Sequence, residues 1–323
     1  MPTVLLSGKL HPDGLEVLRR REGLTLVQME GDDPAEFVAK LPAADALLIR
    51  TAPLPREALV NACRLKVVSR HGVGYDNVPV EALTAMGVPL VLVGGVHSST
   101  VAEHAMYLML AVAKAGLRYD RAVRSGGWTA SRARSETFEI DGRTLLILGF
   151  GRIGRALATR ARGMGMTVLA YDPNVPAGAM AEAGVGKVDD WRAMIPEVDV
   201  FSLHLPRLPE TENMIGAAEI ARMRPEAIIV NTSRGGLIDE AALAEALLAG
   251  RIAGAGIDTF DEEPPRRDNP LLACDRAILS PHMAGVSREA MARLSVAAAE
   301  NVLAGLDGRL DPALVVNRAV LGR

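Results

Sequence analysis

The chain has 323 residues, 49% apolar and 23% charged, a balance that suits folded globular domains and leaves room for two cores. A formal net charge of −3, with the basic residues scattered, gives no electrostatic footprint for nucleic acid. Two cysteines, Cys63 and Cys274, are too few for a disulfide framework or a zinc site and point to a reducing cytoplasm, no apolar stretch reaches membrane-spanning length, and the opening MPTVLLSGKL lacks the basic leader and long apolar run of a signal peptide.

Over the first hundred residues short apolar runs alternate with helical patterns. Strands are predicted at 4–6, 24–27, 46–49, 65–69 and 89–93. Helices are predicted from Asp33-Pro34, where a cap and a first-turn proline stand in their usual order, over 56–62 after Pro55, and over 80–86. Such alternation implies a parallel sheet with helices on both faces. After Val93-Gly94-Gly95 a long helical pattern runs from Ser98 to about Val123, with Ser98 or Ser99 as cap and Glu103 near its positive end. Ser125-Gly126-Gly127 breaks it, and a looser segment, 128–141, follows.

Residues 143–172 then form a complete unit. An apolar run at 145–148 leads into Gly149, Gly151 and Gly154, a G-x-G-x-x-G spacing; a helical pattern follows, and a second apolar run at 168–171 closes on Asp172. Gly149 permits a tight turn, Gly151 lets a pyrophosphate approach the backbone, and Gly154 lets the helix pack on the strand. The helix start favours an anion. Asp172, 18 residues past the last glycine, would accept hydrogen bonds from ribose hydroxyls and repel a 2′-phosphate, and Pro173-Asn174 brings no base, so NAD is expected over NADP. Beyond it the alternation resumes: helices at 177–183, 239–249 and 287–306, strands at 198–203, 228–231, 256–260 and 278–280.

Three polar residues follow strands in this half: Arg234 in NTSRG, Glu263 in DTFDEEP and His282 in SPHMAG. Taken singly, each reads as a surface ion pair, a solvated charge or a loop histidine. Together, at the carboxyl ends of strands in a doubly wound sheet, they can share a cleft. Arginine holds a carboxylate through two parallel bonds, and a histidine oriented by a carboxylate moves a proton near neutrality. Beside a nicotinamide this set suits hydride transfer to a 2-oxo acid.

RHGVGYDNV (70–78), STVAEHAM (99–106), LGFGRIGR, LHLPRLPET, NTSRGGLID, GAGIDTFDEEP and SPHMAG, in this order, resemble the motifs of the NAD-dependent D-2-hydroxyacid dehydrogenases over nearly the whole chain. The resemblance implies an α/β fold with two parallel-sheet domains: a discontinuous, flavodoxin-like substrate domain (1–97 and 285–323) and a Rossmann cofactor domain (98–284). It implies Arg234, Glu263 and His282 as the catalytic set. At the cofactor it implies Arg152, Ile153, Asp172 and Thr232 beside the three glycines, with His204, Pro206 and Thr211 from LHLPRLPET and Gly285 from SPHMAG; Asp258 would face the carboxamide. Backbone N–H groups of Val73 and Gly74 would bind the substrate carboxylate. Arg50 in LIRTA and nearby Arg70 resemble the arginines that hold phosphate in phosphoglycerate dehydrogenases, so 3-phosphoglycerate joins hydroxypyruvate and glyoxylate as a leading substrate. Formate dehydrogenase fits less well, because that branch has Gln where Glu263 stands. Members are usually homodimers through the cofactor domains, with the Trp128 segment exchanging contacts. No metal, nucleic acid or membrane is implied. Two departures stand out: His97 replaces a common Asn, and Arg207 replaces a small or apolar residue. The same fold also serves NAD-sensing corepressors, which keep the Arg/Glu/His set, so turnover with NADH is the discriminator.

Overall fold

The computed structural model describes residues 1–31, 33–132 and 137–322. The chain divides into two compact units, Met1–His97 with Ser287–Arg323, and Ser98–Val286.

In the first unit, β1 (Thr3–Ser7), β2 (Thr25–Gln28), β3 (Ala46–Ile49), β4 (Val67–Arg70) and β5 (Leu90–Leu92) form a parallel sheet in the order β2-β1-β3-β4-β5. Helices α1 (Pro12–Arg19), α2 (Pro34–Lys40), α3 (Arg56–Leu59) and α4 (Val80–Ala85) connect them. All four residues of β3 are buried, as a strand covered on both faces requires. Its Leu47 and Ile49 join Leu5, Phe37 and Val68 on one face. Ala46 and Leu48 join Val4, Leu6 and Val67 on the other. The pattern of apolar residues did not predict α1. The helix starts at Pro12 behind His11, whose side chain caps it, and it contains Gly14, a weak helix former. A Cβ there would lie 2.5 Å from the Ser295 carbonyl oxygen, so Gly14 is the point of closest approach to the helix carrying Ser295.

The second unit opens with α5 (Ser98–Ala113), α6 (Gly116–Arg124) and α7 (Trp128–Arg132). Its sheet contains β6 (Thr144–Leu148), β7 (Thr167–Tyr171), β8 (Gly186–Lys187), β9 (Val200–Leu203), β10 (Ile228–Asn231), β11 (Gly254–Ile257) and β12 (Ala277–Leu279), all parallel, in the order β12-β11-β10-β9-β6-β7-β8. Helices α8 (Arg152–Gly163), α9 (Ala177–Glu182), α10 (Ala217–Ala221) and α11 (Glu240–Leu248) complete it. Counted from β6, the order is that of a dinucleotide-binding sheet with one added strand, and the first unit has the flavodoxin-like order. The direction of winding reverses between β6 and β9 in one sheet and between β1 and β3 in the other. The chain then returns to the first unit through α12 (Arg288–Leu306), capped by Ser287, whose Oγ accepts from the Ala290 N–H.

Three predicted elements are corrected. The single helix over 98–123 is two: Ala115 takes a left-handed backbone (φ 47°) between α5 and α6. The apolar period continues through Leu117 and Val123, but both are exposed, and α6 buries nothing. The strand predicted at 256–260 lies at Gly254–Ile257. The Gly-Ala-Gly run looks like a loop, yet a Cβ on Gly254 or Gly256 would lie 2.6 Å from Val112 or Leu108 of α5. These glycines let a helix lie directly on the strand. The strand predicted from 198 starts at Val200, after a turn over Ile195–Glu197. Of the looser segment 128–141, residues 133–136 lie outside the described residues. Among the described residues no helix is long and apolar enough to cross a membrane.

Candidate active site

At the winding reversal of the seven-stranded sheet, β6 ends at Leu148 and the chain turns through Gly149 at φ +95°. A Cβ on Gly149 would sit 2.5 Å from the His204 carbonyl oxygen, at the end of β9, so only glycine allows these two strand ends to approach. A Cβ on Gly154 would lie 2.4 Å from the Gly149 carbonyl oxygen and 3.1 Å from Ile147 Cγ2. This glycine therefore seats α8 on the turn as well as on the strand. Gly151 faces open space and is the N-cap of α8, with no side chain bonded to the free N–H groups there. An uncapped helix start beside open space suits an anion. Arg152 is exposed and Ile153 half-buried on the first turn. Asp172, at the end of β7, accepts from the Phe150 N–H (2.9 Å) through one oxygen and from the Asn174 N–H (2.9 Å) through the other. It thereby braces the glycine turn, a role its spacing alone did not reveal.

The loop after β9 is braced from within. The Thr211 hydroxyl donates to the Pro206 carbonyl (2.8 Å) and accepts from the Leu208 N–H (2.8 Å). The His204 ring is bonded through Nε2 to the Ser202 hydroxyl (2.9 Å), while its buried Nδ1 has no partner. Burial holds its pKa down at about 4. Arg207, the second departure, pairs with Glu212 and packs its guanidinium on Gly236. After β10, the Thr232 hydroxyl is buried without a hydrogen-bond partner. That orphaned group and the open, uncapped turn at Gly151 are what a bound dinucleotide would complete.

Arg234, Glu263 and His282 all belong to the second unit, and the loops that bear them meet. A Cβ on Gly235 would fall 1.9 Å from the Phe260 carbonyl oxygen, so the loop after β10 presses its backbone on the turn after β11. Asn231 fixes the Arg234 loop, donating from Nδ2 to the Arg234 carbonyl (2.7 Å) and accepting from the Ser233 N–H (3.0 Å). Arg234 Nη1 donates to the Ser233 carbonyl at 2.7 Å. Glu263 accepts from the Phe260 N–H through Oε1 (3.1 Å) and from His282 Nδ1 through Oε2 (2.6 Å). Burial pushes the Glu263 carboxyl up, but the bonds from His282 and Phe260 and the charges of His282 and Arg234 outweigh it, leaving the group below its ordinary value. Behind this turn, half-buried Glu240 accepts from the Asp261 N–H (2.7 Å) and Asn269 Nδ2 (2.6 Å). Its carboxyl is raised by burial and by the nearby acids Asp261 and Glu263.

Asp258 is fully buried at the end of β11. Its carboxylate accepts from the Ser280 hydroxyl (2.6 Å) and the Met283 N–H (2.9 Å) at one oxygen and from the Ala284 N–H (2.9 Å) at the other. Gly285, next in the chain, is half-buried.

In the first unit Arg50 follows β3 and Arg70 ends β4. Arg50 Nη1 donates to the Lys9 carbonyl (2.6 Å) and Arg70 Nη1 to the His71 carbonyl (2.9 Å). Among the described residues the N–H groups of Val73 and Gly74 make no hydrogen bond. The His71 ring is buried against the Ser295 hydroxyl (2.9 Å), and burial together with Arg50 lowers its pKa to about 4. His97, the first departure, is buried with Nδ1 unpartnered; burial, Arg70 and Arg293 lower its pKa. Among the described residues no group of three or more His, Cys, Asp or Glu could hold a metal ion.

Comparison with known proteins gives a consistent result. Residues 106–284 match the model of the D-isomer specific 2-hydroxyacid dehydrogenase, NAD binding domain. The chain is 38% identical over 311 residues to a D-3-phosphoglycerate dehydrogenase of Methanocaldococcus jannaschii, an alignment covering 96% of this chain and 58% of the relative. It thus spans little more than half the length of that relative. It is 36% identical over 323 residues to a glyoxylate reductase of Korarchaeum cryptofilum, covering 99% of this chain and 97% of the relative. Among solved structures, the NADPH-dependent glyoxylate/hydroxypyruvate reductase of Sinorhizobium meliloti in complex with citrate superposes with a TM-score of 0.85 at 28% identity, covering 100% of this chain and 99% of that one.

Proposed function

The chain belongs to the D-isomer specific 2-hydroxyacid dehydrogenase family, and from that premise we propose that it transfers a hydride between NAD(H) and a small 2-hydroxy or 2-oxo acid. The observation that carries this reading is the 2.6 Å bond between Glu263 and His282, with Arg234 near enough to add its charge to the bonds from His282 and Phe260 that lower the Glu263 carboxyl against the opposing effect of burial. The nicotinamide, when bound, supplies or accepts the hydride. Arg234 pairs with the substrate carboxylate through two of its N–H donors. Glu263 takes Nδ1 of His282, so Nε2 gives the proton to the oxygen of the reduced carbonyl and takes it back in the oxidation. Glu263 also stabilises the imidazolium that the reduction starts from.

The three glycines, Arg152, Ile153, Asp172, His204, Pro206, Thr211, Thr232, Asp258 and Gly285 line the cofactor in this proposal. The Asp172 carboxylate, with no base following it, favours NAD over NADP, unlike the NADPH-dependent relative from Sinorhizobium meliloti. Residues 98–284 act as the cofactor domain and the rest as the substrate domain, where Val73, Gly74, Arg50 and Arg70 contact the substrate. The two arginines keep 3-phosphoglycerate beside glyoxylate and hydroxypyruvate as leading substrates. A homodimer is proposed through the second unit. Its Tyr107, Leu117, Val123 and Trp128 are exposed, apolar side chains that a second copy would cover, and Leu117 and Leu272 line a groove of about 320 Å³ together with Arg118, Arg121 and Asp275.

Steady-state kinetics with NADH and NADPH over a panel of 2-oxo acids tests the proposal. The expected result is turnover of at least one of them, with kcat/KM for NADH exceeding that for NADPH about tenfold or more. NADH binding without turnover of any acid would instead make the chain an NAD-sensing binding protein.

A further inference from the structure

We propose that His104 and Ser280 are positioning residues for His282, acting through Asp258; the inference rests on the reading of His282 as the proton donor. His282 is a non-glycine residue held at φ +48°, a left-handed conformation that persists only where surrounding bonds over-determine it. Those bonds converge on Asp258. Its carbonyl accepts from the His282 N–H (2.8 Å), and its carboxylate accepts from the N–H groups of the next two residues, Met283 and Ala284 (2.9 Å each). The Ser280 hydroxyl, on the other side of His282 in the chain, donates to the same carboxylate at 2.6 Å. One acid thus grips the backbone around the strained histidine, while Glu263 holds only its ring.

The grip extends to a helix. His104 Nε2, on α5, lies 2.8 Å from Ser280 Oγ and 3.6 Å from Asp258 Oδ1. A hydroxyl has one proton to give, and Ser280 gives it to Asp258, which as a carboxylate can only accept. Ser280 Oγ therefore accepts from His104, which must carry its proton on Nε2. The chain reads His104 N–H to Ser280 O–H to Asp258 carboxylate, with His282 fixed around its far end. Asp258 is wholly buried, and a buried charge with an incomplete donor set relaxes or shifts to recover one. Loss of the His104 donor would leave the Ser280 hydroxyl free to turn from Asp258, and the turn bearing His282 would loosen. Because neither His104 nor Ser280 contacts the oxo acid in this account, the consequence falls on proton transfer and not on oxo-acid binding; Asp258 itself lines the cofactor, so NADH affinity is read separately.

The test compares His104→Leu, His104→Gln, Ser280→Ala and Ser280→Thr with wild type in the reduction of glyoxylate or hydroxypyruvate by NADH. NADH affinity is read by fluorescence and folding by circular dichroism. His104→Leu and Ser280→Ala should lower kcat about tenfold or more, since small misplacements of a catalytic group are that costly, while KM for the oxo acid changes less than about twofold. Gln and Thr, which keep a donor or a hydroxyl, should recover most of kcat. The double variant His104→Leu/Ser280→Ala should be no worse than Ser280→Ala, because the two act in series. Wild-type kcat in His104→Leu, a loss confined to KM, or Gln and Thr variants as impaired as Leu and Ala would overturn the inference. His282→Asn is the control. If it stays active, the reading of the reaction fails; if it is inactive beside a normal His104→Leu, this inference alone fails.

Discussion

The two winding reversals in this chain share a topology and differ in what stands at them. In the seven-stranded sheet, β6 passes to α8 through Gly149 and Gly151, and the helix start has no side-chain cap. In the five-stranded sheet, β1 passes to α1 through Gly8, and the helix start is closed by the His11 side chain, which accepts from the Asp13 N–H (3.3 Å). Asp13 adds a negative charge in that first turn, where it competes with any external anion. The turn at Gly149 faces the carbonyl of His204, whereas a Cβ on Gly8 would meet the Arg50 side chain, 3.0 Å away at Cδ. One switch point thus has a helix start without a side-chain cap, and the other a capped helix start beside Arg50, whose guanidinium donates to the Lys9 carbonyl. In such doubly wound sheets the winding reversal is a place where ligands can bind, and the residues at the strand ends decide the chemistry.

That contrast can be broken or sharpened by substitution. After loss of His282 itself, the largest effect is expected from Arg234→Lys, which keeps the charge and removes the paired geometry. We expect kcat/KM for a 2-oxo acid to fall about 100-fold or more with the fold intact by circular dichroism; near-normal kcat/KM would take Arg234 out of the substrate site. Next are the two left-handed glycines. Gly149→Ala sets a methyl against a backbone carbonyl that cannot move alone, so urea unfolding should show a loss of about 3 kcal/mol or more and NADH binding should go with it. Gly8→Ala meets only the stem of Arg50, and about 1–2 kcal/mol of backbone strain is expected with NADH affinity unchanged. Equal losses of stability and of NADH affinity in the two variants would erase the distinction between the switch points.

An effect similar in size to that of Gly8→Ala concerns acid. Each sheet has a buried neutral imidazole beside it, His71 in the first unit and His204 in the second, both with pKa near 4. An unfolded histidine takes up a proton below about pH 6.5, which the folded protein refuses until about pH 4. Stability from each is therefore complete above pH 6.5 and is lost as pH falls toward 4, on the order of 2 kcal/mol by pH 5 for one such ring. His71→Gln, whose side-chain oxygen can still accept from the Ser295 hydroxyl, should flatten that fall by this amount in urea titrations at pH 7 and pH 5. A variant with the wild-type pH dependence would mean that His71 is protonated in the folded protein.

The glycine unit at 143–172 and the strand-end residues Arg234, Glu263 and His282 were legible because the strands are short apolar runs and chemistry follows them within a few residues. The Glu263–His282 bond itself was an expectation from charge type alone. Other features were hidden for physical reasons. The signals at the start of α1, Pro12 and Asp13, are masked by an unusual cap, His11, and by Gly14, which is explained only by its packing on α12, far along the chain. Gly254 and Gly256 look like loop residues until α5 is seen lying on them. The link from His104 to Ser280 joins residues 176 apart, and no spacing in the sequence announces such a contact. Residues 1–97 and the stretch after Ser287 share nothing in pattern that marks them as one unit; they are joined by contacts across the fold, such as α12 side chains Leu294, Ala298 and Val302 packed with Val4, Leu6 and Val67.

The central claim is that the proton moves at His282, held by Glu263 at the carboxyl end of the seven-stranded sheet. The most direct measurement is the kinetics of His282→Asn in oxo-acid reduction, with NADH affinity measured separately by fluorescence. The account predicts a fall in kcat of about 10³-fold, the scale of a lost general acid, with NADH affinity within about twofold of wild type because the glycine turn is untouched. A variant that keeps kcat within a few-fold of wild type would contradict the account, and the proton would have to come from another group.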